Sequence, residues 1–223
     1  MDIQDYNSKA WDKQVDNGEN EWTLPVSVEE IEKARQGEFS IILTPHISVP
    51  RDWFPEKFAG IDVLGLASGG GQQMPILSAL GANVTSFDNS KKQLEQDALV
   101  AQRDDLDIKI EQGDAADLSR FTDESFDLIW HPTSNCFMPE IQPIWNEAYR
   151  VLRKGGVLLS GFHNGIFFIF DREKDENEGV LENGISHTFS IKTDQFLSSP
   201  LVNHKKYYFT VVAYAYNNYE QFD

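Results

Sequence analysis

Three glycines, two well-spaced carboxylates and one histidine are the residues of this sequence whose types and spacing could hold a small molecule and act on it. Gly69, Gly70 and Gly71 follow the apolar run Ile61, Val63, Leu64 and Leu66, the pattern of a buried parallel strand feeding a tight turn and a helix start. Without Cβ atoms the turn lets a ligand approach the backbone closely, and free amides at the start of the next helix would face that ligand. A second apolar run, Val84 to Phe87, ends in Asp88, whose carboxylate can accept from both hydroxyls of a ribose. Strand, glycine turn, helix, strand and acid make one nucleoside-binding half of a doubly wound α/β fold. Asp114 follows a third strand-like run and, on general grounds, reads equally well as a turn or helix-cap aspartate. His131 directly follows a fourth run; its imidazole titrates near neutrality and is the candidate general base, with a polar loop residue bonded to backbone as the plainer reading. Asn135, in the same loop, could orient a substrate.

The elements that must position these residues follow the same alternation. Residues 5–18 predict a short amphipathic helix stopped at Gly18, and Ser27 to Glu30 read as a capping box for a second helix that ends at Gly37. Phe39 to Phe58 holds three prolines and reads as irregular structure. Asn89 and Ser90 cap a helix from Lys91 to Arg103, Asp107 to Glu111 is a third strand, and Ser125 to Trp130 a fourth. Glu140 to Leu152 is a helix that the cationic turn and the glycines of Arg153 to Gly156 terminate, and Val157 to Phe162 is a fifth strand. Loops beyond the carboxyl ends of such strands border the ligand crevice, which places His131 and Asn135 at its rim.

The nature of the nucleoside ligand turns on the glycines. A dinucleotide fingerprint needs a third glycine where Met74 stands, so an NAD-linked oxidoreductase is the lesser alternative. The stretch A-S-G-G-G-Q-Q after an apolar strand resembles motif I of the class I S-adenosylmethionine-dependent methyltransferases, in a subgroup where alanine and serine replace the first two residues of the usual turn. That subgroup also carries E-W-T-x-P-V-S and W-F-P runs ahead of the turn, as here around Trp22 and Trp53. Packing is the simpler role for both tryptophans and a lid over the cofactor the functional one. The resemblance implies that S-adenosyl-L-methionine is the cofactor. It implies that Ala67, Ser68, Gly69, Gly70, Gly71 and Gln72 take its methionine portion and sugar, Asp88 and Asn89 its ribose, and Asp114 and Ala115 its adenine, with His131 alongside. Gly65 departs from the pattern, standing where many members carry an acid, so the cofactor's amino group must find another partner. His131 and Asn135 are the candidate catalytic residues, because methyl transfer mainly requires near-attack positioning and a base only for a protonated acceptor.

Composition narrows the partners. Nineteen basic residues against 36 acidic ones give a formal net charge of −17, which repels phosphate backbones and suits a sulfonium; a small-molecule substrate is the default and nucleic acid is not expected. No apolar window reaches membrane-spanning length, the N-terminus has no signal-peptide pattern, and Cys136 is the single cysteine, so a cytoplasmic protein is expected. The histidines are too scattered to suggest a metal site.

The sequence thus predicts a Rossmann-like, mostly parallel sheet with a helical cover over residues 1–58, a cofactor-binding core over 59–171 and an atypical β segment over 172–223. In that last segment Ile185 to Ile191 and Lys206 to Tyr216 read as strands that either close the sheet as an antiparallel pair or are foreign to the rest. The expected activity is methyl transfer to a small molecule. A non-catalytic nucleoside-binding protein with a degenerate acceptor site is the alternative.

Overall fold

A computed structural model of the chain describes residues 3–44 and 47–162 together with three short strands at 193–194, 199–200 and 206–209. Ten strands and five α-helices are assigned among them. The centre is a parallel sheet ordered β5 (Ile108–Gln112), β4 (Asn83–Asp88), β3 (Asp62–Leu66), β6 (Phe126–His131) and β7 (Leu152–Ser160). The chain runs outward from β3 through β4 to β5 and then returns to place β6 on the other side of β3. Strand order therefore reverses between β3 and β6, the switch point at whose carboxyl side sheets of this kind place their ligand crevice.

Alternate residues of the strands face two separate cores. Val63, Val84, Leu128, Trp130 and Leu159 pack with Ile31 and Ala34 of α2 (Val28–Arg35) and with Met74 and Leu77 of α3 (Gln73–Ala79). Leu64, Leu66, Phe87 and Ile129 face the other way, against Ile144, Ala148 and Val151 of α5 (Gln142–Val151). Burial on both faces is why these strands read as continuous apolar runs. The remaining helices are α1 (Ile3–Asn17) and α4 (Lys91–Asp104), which contact each other.

Several local expectations are corrected. Within 39–58, β1 (Ile42–Thr44) and β2 (Ile47–Ser48) form an antiparallel pair, because Ile41 and Leu43 are drawn into the core despite the surrounding prolines. Ser27 caps α2 by accepting from the Glu30 amide at 3.2 Å, but the Glu30 carboxylate binds Lys33 at 2.6 Å and closes no capping box. Helix α5 ends at Val151, and β7 begins at the next residue, Leu152, which is already extended. The left-handed Gly155 lies in the irregular start of that strand instead of ending the helix. Arg153 serves no helix end; its guanidinium joins Asp62 at 2.7 Å and Asp127 at 2.6 Å, tying β3 and β6 together. Of the expected antiparallel closing strands, Ile185 to Ile191 lies outside the described residues. The described part of the other, β10 (Lys206–Phe209), runs parallel to β7. A separate antiparallel pair joins β8 (Thr193–Asp194) to β9 (Ser199–Pro200).

Candidate active site

The glycine turn leaves β3 through Ala67, which holds the left-handed conformation at φ 51° in spite of its Cβ; Gly70 and Gly71 follow at 125° and 74°. A strained alanine at this point fits a turn over-determined by its surroundings. Those surroundings are α4, β4 and the N-terminal segment. The amides of Ala67, Gly69, Gly70 and Gly71 donate in turn to the Phe87 carbonyl at 2.8 Å, and at 3.0 Å each to Asp88 Oδ2, the Gln93 carbonyl and Asp97 Oδ1. These four turn amides are thus taken by the protein itself. A Cβ on Gly70 would lie 2.7 Å from the Trp22 carbonyl oxygen, and one on Gly71 2.9 Å from that of Gln96. Close packing on both sides therefore requires the glycines as strictly as the turn does. Met74, at the third-glycine position of a dinucleotide fingerprint, is fully buried in the core. A Cβ on Gly65 would meet Met74 and, at 2.5 Å, Ser68 Oγ, so those side chains take the space of the acid absent there.

Asp88 and Asp114 emerge from neighbouring strand ends. Asp88 pairs in register with Gln112, and the Gly113 amide donates to the Asp88 carbonyl at 3.0 Å. The Asp88 carboxylate accepts from the Gly69 amide and, at 2.8 Å, from the Ser90 amide; burial raises its pKa above the ordinary aspartate value. Those amides fill part of its acceptor capacity. Asp114 Oδ1 accepts from the Ala116 amide at 3.0 Å, and Ala115 is buried in the core beside it. Ser68 Oγ and Gln93 Oε1, both buried near the turn, have no hydrogen-bond partner among the described residues. Carboxylates with acceptor capacity left and orphaned polar atoms near the turn fit a polar, nucleoside-bearing group.

Helix α1 lies against this edge. Gln4, Ser8 and Asp12, spaced four apart, reach from one face of it. The Gln4 side-chain amide donates to Asp114 Oδ2, and the Gln4 backbone carbonyl accepts from the Asn89 side-chain amide at 2.9 Å. Ser8 donates to the Asn89 carbonyl at 3.0 Å, and Asp12 accepts from the Ser90 hydroxyl at 2.7 Å and the Lys92 amide at 3.1 Å. Trp11 meets Phe137 edge-on at 5.4 Å. Gln72, expected to bind cofactor, donates instead to the carbonyls of Glu21 at 2.6 Å and Leu24 at 2.9 Å. The polar stripe at 4, 8 and 12 was present in the sequence, but a stripe of that kind ordinarily faces water.

On the other side of the crevice His131 ends β6, fully buried, with Nδ1 donating to the Leu66 carbonyl at 2.8 Å. Burial holds its pKa down to about 4, so the ring is neutral and lacks the near-neutral titration that recommended it as a base. Asn135 donates to the Gly161 carbonyl at 2.5 Å and so secures the loop after β6 to the end of β7. Cys136 is exposed. Asp97, which grips the turn, and Trp145, edge-on to His131 at 5.4 Å, were not singled out by sequence reasoning. Helical spacing marks both only as inward-facing. Among the described residues no group of three or more histidines, cysteines or acids could hold a metal, and no helix is long and apolar enough to cross a membrane.

A family model described as a methyltransferase domain matches residues 64–160, from within β3 to the end of β7. The chain is 54 % identical over 177 residues to the uncharacterized methyltransferase YbaJ of Bacillus subtilis, a match covering 79 % of this chain and 68 % of that protein. It is 32 % identical over 141 residues to the sterol 24-C-methyltransferase erg6 of Aspergillus fumigatus, covering 59 % of this chain but only 37 % of that relative. Among solved structures it is similar to an arsenic(III) S-adenosylmethionine methyltransferase from Chlamydomonas reinhardtii, with 25 % identity, a TM-score of 0.44, and 59 % and 47 % of the two chains covered.

Proposed function

Because this chain belongs to the class I S-adenosylmethionine-dependent methyltransferases, we propose that it moves a methyl group to a small-molecule acceptor in the crevice between β3 and β6. When bound, S-adenosylmethionine supplies the methyl group already activated on a sulfonium. What remains for the protein is positioning. Asp88 takes the ribose hydroxyls with its unused acceptor positions, and Asp114, one strand over, takes the adenine amine. The glycine turn, with Ser68 and Gln93, borders the methionine portion. The tilt of charge toward acid, −17 overall, favours a cationic donor and disfavours a nucleic-acid acceptor. The sterol specificity of the erg6 relative supports the small-molecule class without naming the molecule. Residues 1–58 act as the cover of a core spanning 59–171, with 172–223 as an appended segment, and the single cysteine suits a cytoplasmic setting.

The observation that carries this reading is the placement of Asp88 and Asp114 on adjacent strand ends, joined by the bond from the Gly113 amide to the Asp88 carbonyl at 3.0 Å. Isothermal titration with S-adenosylhomocysteine tests it. The chain should bind, and Asp88→Ala should weaken binding at least about tenfold, a loss of roughly 1.4 kcal/mol. An intact chain that takes up no ligand, or one indifferent to the substitution, would refute the assignment.

A further inference from the structure

Two polar atoms at neighbouring strand ends are buried with no hydrogen-bond partner among the described residues: Nε2 of His131 and Oγ of Ser160. The residues are register partners across β6 and β7, so their side chains leave the same face of the sheet. They are 0 % and 4 % exposed. Nearby, Asn135 donates to the Gly161 carbonyl, and Thr133 to the Leu43 carbonyl at 2.6 Å. The bond from His131 Nδ1 to the Leu66 carbonyl fixes the proton on Nδ1, leaving Nε2 as a bare acceptor. Its backbone is held too, since the Gly161 amide donates to the His131 carbonyl at 3.0 Å. Trp145 stands edge-on to the imidazole, with Phe162 5.8 Å beyond it. An unpaired buried polar group is destabilising, so a fold that keeps two side by side, both anchored, maintains a feature that a ligand can complete.

Resting on the methyltransferase reading above, we propose that His131 and Ser160 form a seat for one uncharged hydroxyl group of the methyl acceptor. The hydroxyl donates to Nε2 of His131 and accepts from the Ser160 hydroxyl, so one ligand group satisfies both orphans. The alternatives fit worse. A carboxylate offers no proton and would set a negative charge against the imidazole lone pair. An ammonium satisfies Nε2 but leaves the Ser160 proton without an acceptor, and it carries charge into a site walled by Trp145 and Phe162. The same burial that keeps the imidazole uncharged, with a pKa of about 4, acts against any buried cation. The two residues therefore select acceptors by presenting a neutral donor-and-acceptor pair at the carboxyl ends of β6 and β7.

Three probes of one shape separate these cases: benzyl alcohol, benzylammonium and benzoate, each titrated into the full chain saturated with S-adenosylhomocysteine and labelled with ¹⁵N-histidine. The expected result is a saturable upfield movement of the His131 Nε2 resonance with benzyl alcohol and none with the two ions. Ser160→Ala should weaken the benzyl alcohol response about threefold to tenfold, the range of one hydrogen bond. A resonance that answers all three probes alike, or none because an enclosed water already bonds to Nε2, would overturn the seat. Binding of S-adenosylhomocysteine in the same sample keeps the two readings apart. If it binds while the histidine ignores benzyl alcohol, the seat alone fails; if it does not bind, the methyltransferase site fails and the seat with it.

Discussion

Asp97 of α4 holds the Gly71 amide at 3.0 Å with one carboxylate oxygen and the Ser86 hydroxyl of β4 at 2.8 Å with the other. A fully buried acid thus joins the glycine turn, the helix after Asp88 and the strand before it. The shape of the turn therefore depends on a residue that never reaches the crevice.

Burial pushes the Asp97 carboxyl up to about 7 from its ordinary 3.8. Between those values the folded state keeps a proton that the unfolded state has released, so this group makes stability fall as pH rises through the window, by at most about 1.4 kcal/mol per unit. Asp97→Asn should abolish that decline. Urea unfolding of both proteins at several pH values in the window measures it, and equal slopes would assign the titration elsewhere.

His131 contributes with the opposite sign. Its folded pKa of about 4 lies below its ordinary 6.5, so the unfolded state binds the proton first and stability is lost as pH falls from 6.5 toward 4. Thermal melts of His131→Gln should show less acid loss than the native chain over that range. A variant as acid-sensitive as the parent would place the sensitivity on other groups.

Gln4 donates to Oδ2 of Asp114, the carboxylate that the proposed function gives to the adenine amine. The two donors then compete, and Gln4→Ala should tighten S-adenosylhomocysteine binding about threefold, the value of one exposed hydrogen bond. Weaker binding in a calorimetric titration would show instead that α1 closes over the bound ligand and adds contacts to it.

Gly71→Ala should lower stability by about 2–4 kcal/mol, because the left-handed backbone disfavours a Cβ and the new carbon would press on the Gln96 carbonyl oxygen at 2.9 Å. Ala67→Gly relieves the same kind of strain at φ 51° and should be neutral or stabilising by less than about 1 kcal/mol. Denaturation of the two variants side by side checks both signs.

The amino-acid order by itself determined the parallel core, the glycine turn and the acid at the end of β4. Each is encoded within a few residues: continuous apolar runs for strands buried on both faces, glycine where the backbone turns left-handed, serine at the starts of α2 and α4. Tertiary structure alone decided which groups the turn amides would meet, that Gln4 would lie on Asp114, and that His131 would be sealed beside Ser160 with one nitrogen unsatisfied. Those outcomes join residues from 26 to 110 positions apart, as with Gly71 and Asp97 or Gln4 and Asp114, and no local pattern records such pairings. Burial and hydrogen bonding across adjacent strand ends and docked helices settle them, because a buried polar group takes the partner that the packed fold brings to it.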